Sequence, residues 1–206
     1  MGVILTPDLR PSKMVARAAS RANQVLGAWS RAVSWRDKST WIKIYKTYVR
    51  PKLEYCSQAV SPWTLGNRET LEKVQRRAVG MVTTLPRDME YNEKLKILGL
   101  TYLVERRERG DMIQMFRCIG GHDAVGHTPF FTLESEAQRE GPSTRARGGH
   151  LNVVPHAPAR TEQRRNFWSY RAAPKWKALG DQVKKASNTN MFKNRYDEEV
   201  TRRRNQ

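Results

Sequence analysis

Residues 37–85 read DKSTWIKIYKTYVRPKLEYCSQAVSPWTLGNRETLEKVQRRAVGMVTTL and hold most of the large apolar side chains in the first half of the chain. Apolar residues recur there every three or four positions, the spacing that places side chains on one face of a helix. The pattern predicts two amphipathic helices with cations on their outer faces. Their apolar faces consist of Trp41, Ile44, Tyr45, Tyr48 and Val49 in the first helix, and of Leu71, Val74, Ala78, Met81, Val82 and Leu85 in the second.

Capping and helix-breaking residues predict where these two helices begin, bend and end. Asp37 or Ser39 can cap the first helix, and Asn67 is expected to cap the second, because short polar side chains accept hydrogen bonds from free backbone N–H groups. Pro51 lacks such an N–H group and predicts a kink. The first helix is expected to resume after this kink and to end at Pro62.

A third amphipathic helix is predicted from Pro11 to Val33, where cations lie opposite an apolar stripe. This segment contains no Asp or Glu. Two interpretations remain open, a solvated helix surface or a track along a nucleic-acid backbone. The cations of this first candidate track are Lys13, Arg17, Arg21 and Arg31.

A second candidate track lies near the C-terminus, where aromatic residues alternate with cations. Such a mixture can stack on bases while the cations hold phosphates. The alternative is that the aromatic rings belong to the core and the cations to its rim. The cations are Arg164, Arg165 and Arg171, and the neighbouring aromatic residues are Phe167, Trp168 and Tyr170.

The remaining segments complete a mainly α fold, a helical bundle with a short N-terminal strand, a long loop and a basic C-terminal helical segment. The apolar run Gly2–Leu5 predicts a strand, which needs a sheet from elsewhere because a lone strand is unstable in water. Residues rich in Gly, Pro, Ser and Thr predict the loop, with an extended piece at 151–154. Pro174 is expected to break or kink its helix. The predicted parts are 1–10 (strand), 11–120 (helical bundle), 121–160 (loop or linker) and 161–206 (basic aromatic helical segment).

The formal net charge of +18 favours a polyanionic partner, because neutralising phosphates releases counterions. Residues 1–50 carry ten Lys and Arg against two Asp, and residues 151–206 carry 13 against five acids. An anionic membrane surface and a basic surface without a partner are the weaker alternatives. No apolar run is long enough to span a bilayer and no signal peptide is recognisable. Two cysteines favour a reducing compartment, so an intracellular protein, nuclear or cytoplasmic, is expected.

No catalytic constellation is recognisable in the sequence. Two-metal nucleotidyl transfer needs paired carboxylates, and the chain has no Asp-Asp pair; the adjacent acids Glu198 and Glu199 lie in a basic helix. Cys118, His122 and His127 lack the Cys-x2-Cys spacing of zinc knuckles. We therefore expect no metal site, no cofactor and no small-molecule substrate.

Several segments resemble, in the same order, the region after the polymerase core of non-LTR retrotransposon (LINE, jockey-type) reverse transcriptases. The similarity is centred on residues 45–56, YKTYVRPKLEYC, and 71–78, LEKVQRRA. Pro174 departs from the family, which usually continues a helix there. The other matching segments are 91–101, 105–111, 115–116, 144–149, 164–168, Trp176 and 192–195.

The resemblance implies a thumb-like helical bundle that grips a template–primer duplex. Such a bundle would bind an RNA–DNA hybrid, or RNA, by its backbone and 2′-hydroxyl groups without sequence preference. Gly2-Val3 is similar to the end of the strand after the catalytic hairpin, so we expect a reading frame that is cut or starts internally. Catalytic acids and Mg²⁺ would belong to the missing palm, which with the fingers is an expected partner, and the fragment would have no catalysis of its own. The alternative is a helical protein-interaction module or a non-functional transposon remnant.

Overall fold

The computed structural model describes residues 2–124, 126–134 and 152–204, and the chain is mainly helical, as the apolar spacing predicts. Two short strands, β1 (Thr132–Leu133) and β2 (Val153–Val154), pair antiparallel, with Thr132 opposite Val154. The helices are α1 (Ser12–Ala32), α2 (Lys38–Ile44), a π-helical segment (Tyr45–Val49), α3 (Arg50–Glu54), α4 (Leu65–Gly80), α5 (Tyr91–Leu98), α6 (Leu103–Ile119), α7 (Glu162–Arg165), α8 (Trp168–Lys177), α9 (Asp181–Lys184) and α10 (Thr189–Arg204).

The chain divides into two compact units, Met1–Arg107 and Glu108–Gln206, each with its own apolar core. The boundary falls inside α6, whereas the sequence pattern placed it after residue 120. The reason is that α6 contributes to both cores. Leu103 is buried in the first core, and Met112, Met115 and Phe116 are buried in the second.

The first unit is organised around α1 and α4, which run side by side in the same direction. Asn67 Nδ2 donates to Ser12 Oγ over 3.2 Å near the start of both helices. About three turns later, Arg77 Nη1 donates to Asn23 Oδ1 over 3.3 Å. The apolar faces of the two helices bury Ala22, Leu26, Leu71, Val74 and Ala78 in the same core.

Asp37 caps α2, in agreement with one of the two sequence-based alternatives. Its Oδ2 accepts hydrogen bonds from the backbone N–H groups of Ser39 and Thr40, at 2.9 and 3.0 Å. The π-helical segment Tyr45–Val49 ends two residues before Pro51, so the wider turn adjoins the residue that lacks an N–H donor. The predicted irregularity at Pro51 is therefore found as a π-helical turn.

The predicted continuation of this helix to Pro62 is wrong. α3 ends at Glu54, and Cys56 adopts a left-handed conformation with φ of 56°. Leu53 is the last residue of this helical stretch in the first core, and the backbone then turns, with Ala59 and Val60 donating to the Cys56 carbonyl. A right-handed helix cannot continue through the left-handed conformation of Cys56, so the helical stretch ends before it.

The expected cap of α4 is also wrong by three residues. Thr64 Oγ1 accepts a hydrogen bond from the Asn67 backbone N–H over 3.3 Å, so α4 begins at Leu65. Asn67 lies within the first turn, where its side chain bonds to Ser12. The helix ends at Gly80, before Val82 and Leu85.

A buried carboxylate connects three helices of the first unit. Glu72 on α4 accepts hydrogen bonds from Gln75 Nε2 and from the hydroxyl of Tyr91 on α5. Its other oxygen accepts the Leu103 backbone N–H at 3.0 Å, which caps the start of α6. This network positions the first turn of α6 against α4.

The predicted N-terminal strand is not formed in the structure. Residues 2–5 have no regular secondary structure, and Leu5 is 69% exposed. Within the described residues the only two strands, β1 and β2, pair with each other. The apolar run therefore has no neighbour among these residues to supply ladder hydrogen bonds.

The second unit has an aromatic core to which the predicted loop contributes. Phe131, fully buried, and Val153 lie in this core, so the described parts of the segment 121–160 do more than link. Val153 and Val154 confirm the predicted extended piece at its described end; residues 135–151 lie outside the described chain. Phe192 of α10 is also fully buried and stacks on Phe116 at a centroid distance of 4.6 Å.

α8 continues through Pro174, so of the two predicted outcomes at this residue, a break or a kink, the break is wrong. The helix buries Trp168, Ala172 and Trp176 in the second core, on both sides of the proline. This burial offsets the missing backbone hydrogen bond, since large aromatic side chains contribute strongly to core stability.

Candidate nucleic-acid interface

The α1 cations form one row on the surface of the first unit. Lys13, Arg17 and Arg21 follow one another at four-residue intervals, and Arg31 lies five helical turns after Lys13. At 100° per residue, the four side chains leave α1 within a sector of about 80° and span about 27 Å along its axis. Lys13, Arg17 and Arg31 are exposed and Arg21 is half-buried.

These four cations are available for an external anion. α1 contains no carboxylate, and among the described residues none forms an ion pair or hydrogen bond with the four side chains. Arg31 lies in the last turn, where a cation also interacts favourably with the helix dipole. Within the described part of the chain, the charges of the cation row on the predicted face of α1 are therefore unpaired.

Two cations of α4 extend the cation row sideways, although the sequence pattern did not identify them. Lys73 and Arg77 are exposed and one turn apart. The hydrogen bond from Arg77 to Asn23 places its guanidinium at the edge of α1. The sequence did show that these two charged residues lie one turn apart on the non-apolar face of the predicted helix. Only the parallel packing of α1 and α4, however, brings them beside the row.

Arg171 does not belong to a free track, because its guanidinium is committed within the second unit. Its Nε and Nη2 donate to the two oxygens of Asp111, each over 2.8 Å, and its Nη1 donates to the Asn166 carbonyl. The Asp111 side chain is only 7% exposed. Burial raises the pKa of Asp111, and the neighbouring guanidinium opposes this shift. Arg171 thus serves as the counter-charge of a buried carboxylate.

Arg164 is also engaged, whereas Arg165 is held only loosely. Arg164 Nε donates to the Tyr170 hydroxyl over 2.8 Å, and its guanidinium lies 5.2 Å from the centre of that ring. Arg165 is exposed and donates one long hydrogen bond of 3.4 Å to the Ala159 carbonyl. The structure therefore does not bring the three predicted cations together as one unpaired surface.

The aromatic residues of the second candidate track divide between core and surface. Trp168 is buried, with its ring edge-on to Phe130 and Phe131. Phe167 is partly exposed, and the Tyr170 hydroxyl donates to the Ala157 carbonyl. Of the two interpretations, a base-stacking surface or the apolar core, Trp168 fits the core.

Carboxylates engage other cations of the second unit in the same way. Arg109 donates two hydrogen bonds to Asp197, each over 2.7 Å. Two further ion pairs join Lys175 to Glu108 and Arg203 to Glu199. The acid Glu199, which with Glu198 forms an adjacent pair in the sequence, also accepts the Gly180 backbone N–H and is buried.

The cysteine and histidines considered for zinc have other surroundings. Gln114 donates to the Cys118 sulfur, and the rings of His122 and His127 stack on Phe116 and Phe131. Across residues 2–124, 126–134 and 152–204, no three His, Cys, Asp or Glu side chains are grouped as metal ligands. In the same part of the chain, every helix is too short or too polar to cross a bilayer.

Comparisons with protein families, with curated proteins and with solved structures found no significant match to this chain.

Proposed function

We propose that this chain binds nucleic acid, an RNA–DNA hybrid or RNA, along its sugar–phosphate backbone and without sequence preference. The observation that carries the proposal is the α1 cation row of Lys13, Arg17, Arg21 and Arg31, which is exposed or half-buried and unpaired among the described residues. Lys73 and Arg77 of α4 lie on its flank. Cations that neutralise phosphates release condensed counterions, which drives binding irrespective of sequence.

The chemistry of the α1 face suits an RNA-containing duplex. Guanidinium groups donate paired hydrogen bonds to phosphate oxygens. Gln24 is exposed in the same helical sector and Ser20 is exposed beside it, and both offer neutral donors and acceptors. Such groups can bind the 2′-hydroxyls displayed in the wide, shallow minor groove of an A-form helix. The α1 face would thus combine phosphate neutralisation with recognition of ribose.

The resemblance to non-LTR reverse transcriptases supports the same assignment, since their thumb holds the template–primer duplex. In this proposal the chain is the thumb-like end of such a polymerase, and the catalytic acids and Mg²⁺ are supplied by a palm outside this chain. The chain by itself would bind without catalysing nucleotidyl transfer.

A salt titration of hybrid binding tests this function. The four cations of the row contribute about −3.6 to the slope of log K against log salt, and Lys73 and Arg77 contribute about −1.8 more. The total of about −5.4 is roughly a thousandfold loss of affinity between 50 and 200 mM salt. Replacing the row by Lys13→Gln, Arg17→Gln, Arg21→Gln and Arg31→Gln should abolish most of this slope. Glutamine is a good helix former, so α1 should keep its structure.

A charge-matched control carries Lys38→Gln, Lys43→Gln, Arg87→Gln and Lys96→Gln, four exposed cations on other parts of the first unit. This variant has the same net charge as the α1 variant and should keep most of the affinity. Equal losses in the two variants would mean that only net charge matters. Wild-type affinity that is independent of salt would contradict the proposal.

One observation favours a second candidate function, a helical module that docks another protein. Leu5, Leu9 and Leu65 are 69%, 58% and 83% exposed. Leu9 precedes α1 and Leu65 opens α4, and these two helix starts are joined by the Asn67–Ser12 hydrogen bond. The occupant implied by the resemblance is the polymerase palm. This function would be supported if the chain lacks hybrid affinity but associates with the palm, and if Leu5→Ser and Leu65→Ser abolish that association. A chain that binds neither partner and does not melt cooperatively would be a remnant.

A further inference from the structure

A groove of about 630 Å³ opens in the first unit beside the starts of α4 and α6. Three arginines line it, Arg68 and Arg76 from α4 and Arg107 from α6. Leu65 and Gly66, the first two residues of α4, also line it. The α1 cation row contributes no residue to this lining, so the groove is a separate feature.

Arg107 is the most unusual residue of the groove. It is only 5% exposed, yet its one hydrogen bond to a described residue is a long one, 3.4 Å from Nη2 to the Leu53 carbonyl. Its Nε and Nη1 have no partner among the described residues. Burial lowers the pKa of Arg107 to about 10, and the charges of Glu54 and Glu72 oppose this shift. The group is therefore cationic at neutral pH.

Glu54 and Glu72, the two carboxylates whose charges act on Arg107, already accept hydrogen bonds from other donors. Glu54 accepts two hydrogen bonds from Arg106 and also lies 3.9 Å from Arg50. Glu72 accepts from Gln75, Tyr91 and Leu103. Neither forms an ion pair with Arg107 in the described chain. A buried charge normally needs a paired partner, so the guanidinium retains unused capacity for an anion.

The start of α4 supplies further donors at the same groove. Thr64 accepts the Asn67 N–H, and Arg68 N–H bonds to the Thr64 carbonyl, which leaves the N–H groups of Leu65 and Gly66 without an intrahelical acceptor. The N-terminus of this 16-residue helix also carries a partial positive charge.

Arg68 and Arg76 form the outer part of the groove. Arg76 lies over the Tyr91 ring at 4.7 Å and within 3.9 Å of Glu69, a half-exposed pair. Pairs of this kind contribute little in water, so the Arg76 guanidinium can exchange Glu69 for a stronger anion. The lining has three cations against the two carboxylates Glu69 and Glu72.

We propose that this groove binds a phosphate group, held by Arg107, Arg68 and Arg76 and by the first backbone N–H groups of α4. Three guanidinium groups and a helix N-terminus offer more donors than the two oxygens of a carboxylate accept, whereas a phosphate group suits them. The phosphate comes either from a free ion or nucleotide or from a nucleic-acid strand, since the recognition chemistry is the same.

Calorimetric titration of the full chain tests the site with three probes at constant ionic strength: inorganic phosphate, ATP, and a short oligonucleotide with or without a 5′-phosphate. Arg107→Gln and Arg68→Ala should each weaken phosphate binding by about tenfold or more, the range expected for losing a hydrogen bond to a charged group. Phosphate should also raise the melting temperature of the wild type, because it binds the folded state.

Leu65→Pro gives a test that spares the core. Proline is tolerated at the first helical position, Thr64 before it is already extended, and Leu65 is 83% exposed. The substitution removes one N–H donor and should also weaken phosphate binding. If Arg107→Gln does not fold, Leu65→Pro and Arg68→Ala decide the result.

The four α1 substitutions to Gln and the single change Arg87→Gln are the controls, and both variants should bind phosphate as the wild type does. The proposal is overturned if no probe gains affinity from its phosphate, if Leu65→Pro and Arg68→Ala bind normally, or if the α1 variant loses phosphate binding. Binding of free phosphate or ATP identifies a small-molecule site, and a gain limited to the 5′-phosphorylated strand identifies a strand site. The proposal and the hybrid-binding function can therefore fail separately.

Discussion

The α1 cation row and the arginines of the second unit use the same residue types under opposite conditions. On α1, Lys13, Arg17, Arg21 and Arg31 lie on a helix without any carboxylate and have no partner among the described residues. In the second unit, Arg171 and Arg109 each hold both oxygens of an aspartate.

The difference shows that a cation's neighbours in the fold, more than its place in a basic stretch, decide what it is free to bind. Asp111 lies 60 residues before Arg171, and Asp197 lies 88 residues after Arg109. Asp111 therefore neutralises an arginine of the basic C-terminal segment from a distant position in the chain. Charge availability is therefore a property of the tertiary structure.

Removing Arg171 should have the largest effect on stability. Arg171→Ala would leave the buried Asp111 carboxylate without its counter-charge, which costs about 3–5 kcal/mol of unfolding free energy. Hybrid affinity of the folded protein should not change, because this guanidinium is already engaged. Denaturant unfolding and the salt titration measure the two quantities separately.

The double variant Asp111→Leu with Arg171→Met is the matched control for that experiment. Replacing a buried ion pair by apolar residues is often neutral or stabilising. Its unfolding free energy should lie close to that of the wild type. If both variants are equally destabilised, the loss comes from packing and the counter-charge role of Arg171 is wrong.

Removing the flanking cations of α4 should have an intermediate effect on binding. Lys73→Gln with Arg77→Gln should make the salt slope shallower by about 1.8, since each phosphate contact contributes about 0.9. Arg109→Gln is the comparison, because that side chain is paired with Asp197. If the salt slope decreases equally in the α4 variant and in Arg109→Gln, free and paired cations contribute alike to binding.

The smallest expected effect concerns Arg164. Arg164→Ala should lower the unfolding free energy by about 0.5–1 kcal/mol, the contribution of an exposed cation–π contact, and leave the salt slope unchanged. Arg165→Ala removes the same charge from a side chain with one long hydrogen bond. A change of slope in Arg165→Ala alone would keep Arg165 as a contact of the second candidate track.

The sequence predicted those features of the fold that depend on neighbours in the chain. The apolar repeat located the helices, and Asp37 was one of the two residues predicted to cap α2. One error arises where distant contacts override local preference. α8 passes through Pro174 because Trp168 and Trp176 are buried on both sides of it.

The two candidate sites differ in the same way. The face of α1 could be predicted because helical periodicity and the lack of acids are local properties. The groove of Arg107 could not, since its lining joins residues 65–76 to residues 102–107 only after α4 and α6 have packed. The charged run around Arg107 gave no indication that this one side chain is buried.

The hydrogen bond between Glu72 and the Leu103 N–H also bears on the order of folding. The start of α6 is capped by a residue 31 positions earlier in the chain, so the cap forms only when α4 is in place. Nucleation of a helix is unfavourable until its first turn is held, and this turn is held by a non-local partner. α6 should therefore become stable after α4 during synthesis and refolding. In Glu72→Gln, hydrogen exchange at Leu103 should accelerate more than exchange at Met115, near the far end of the same helix.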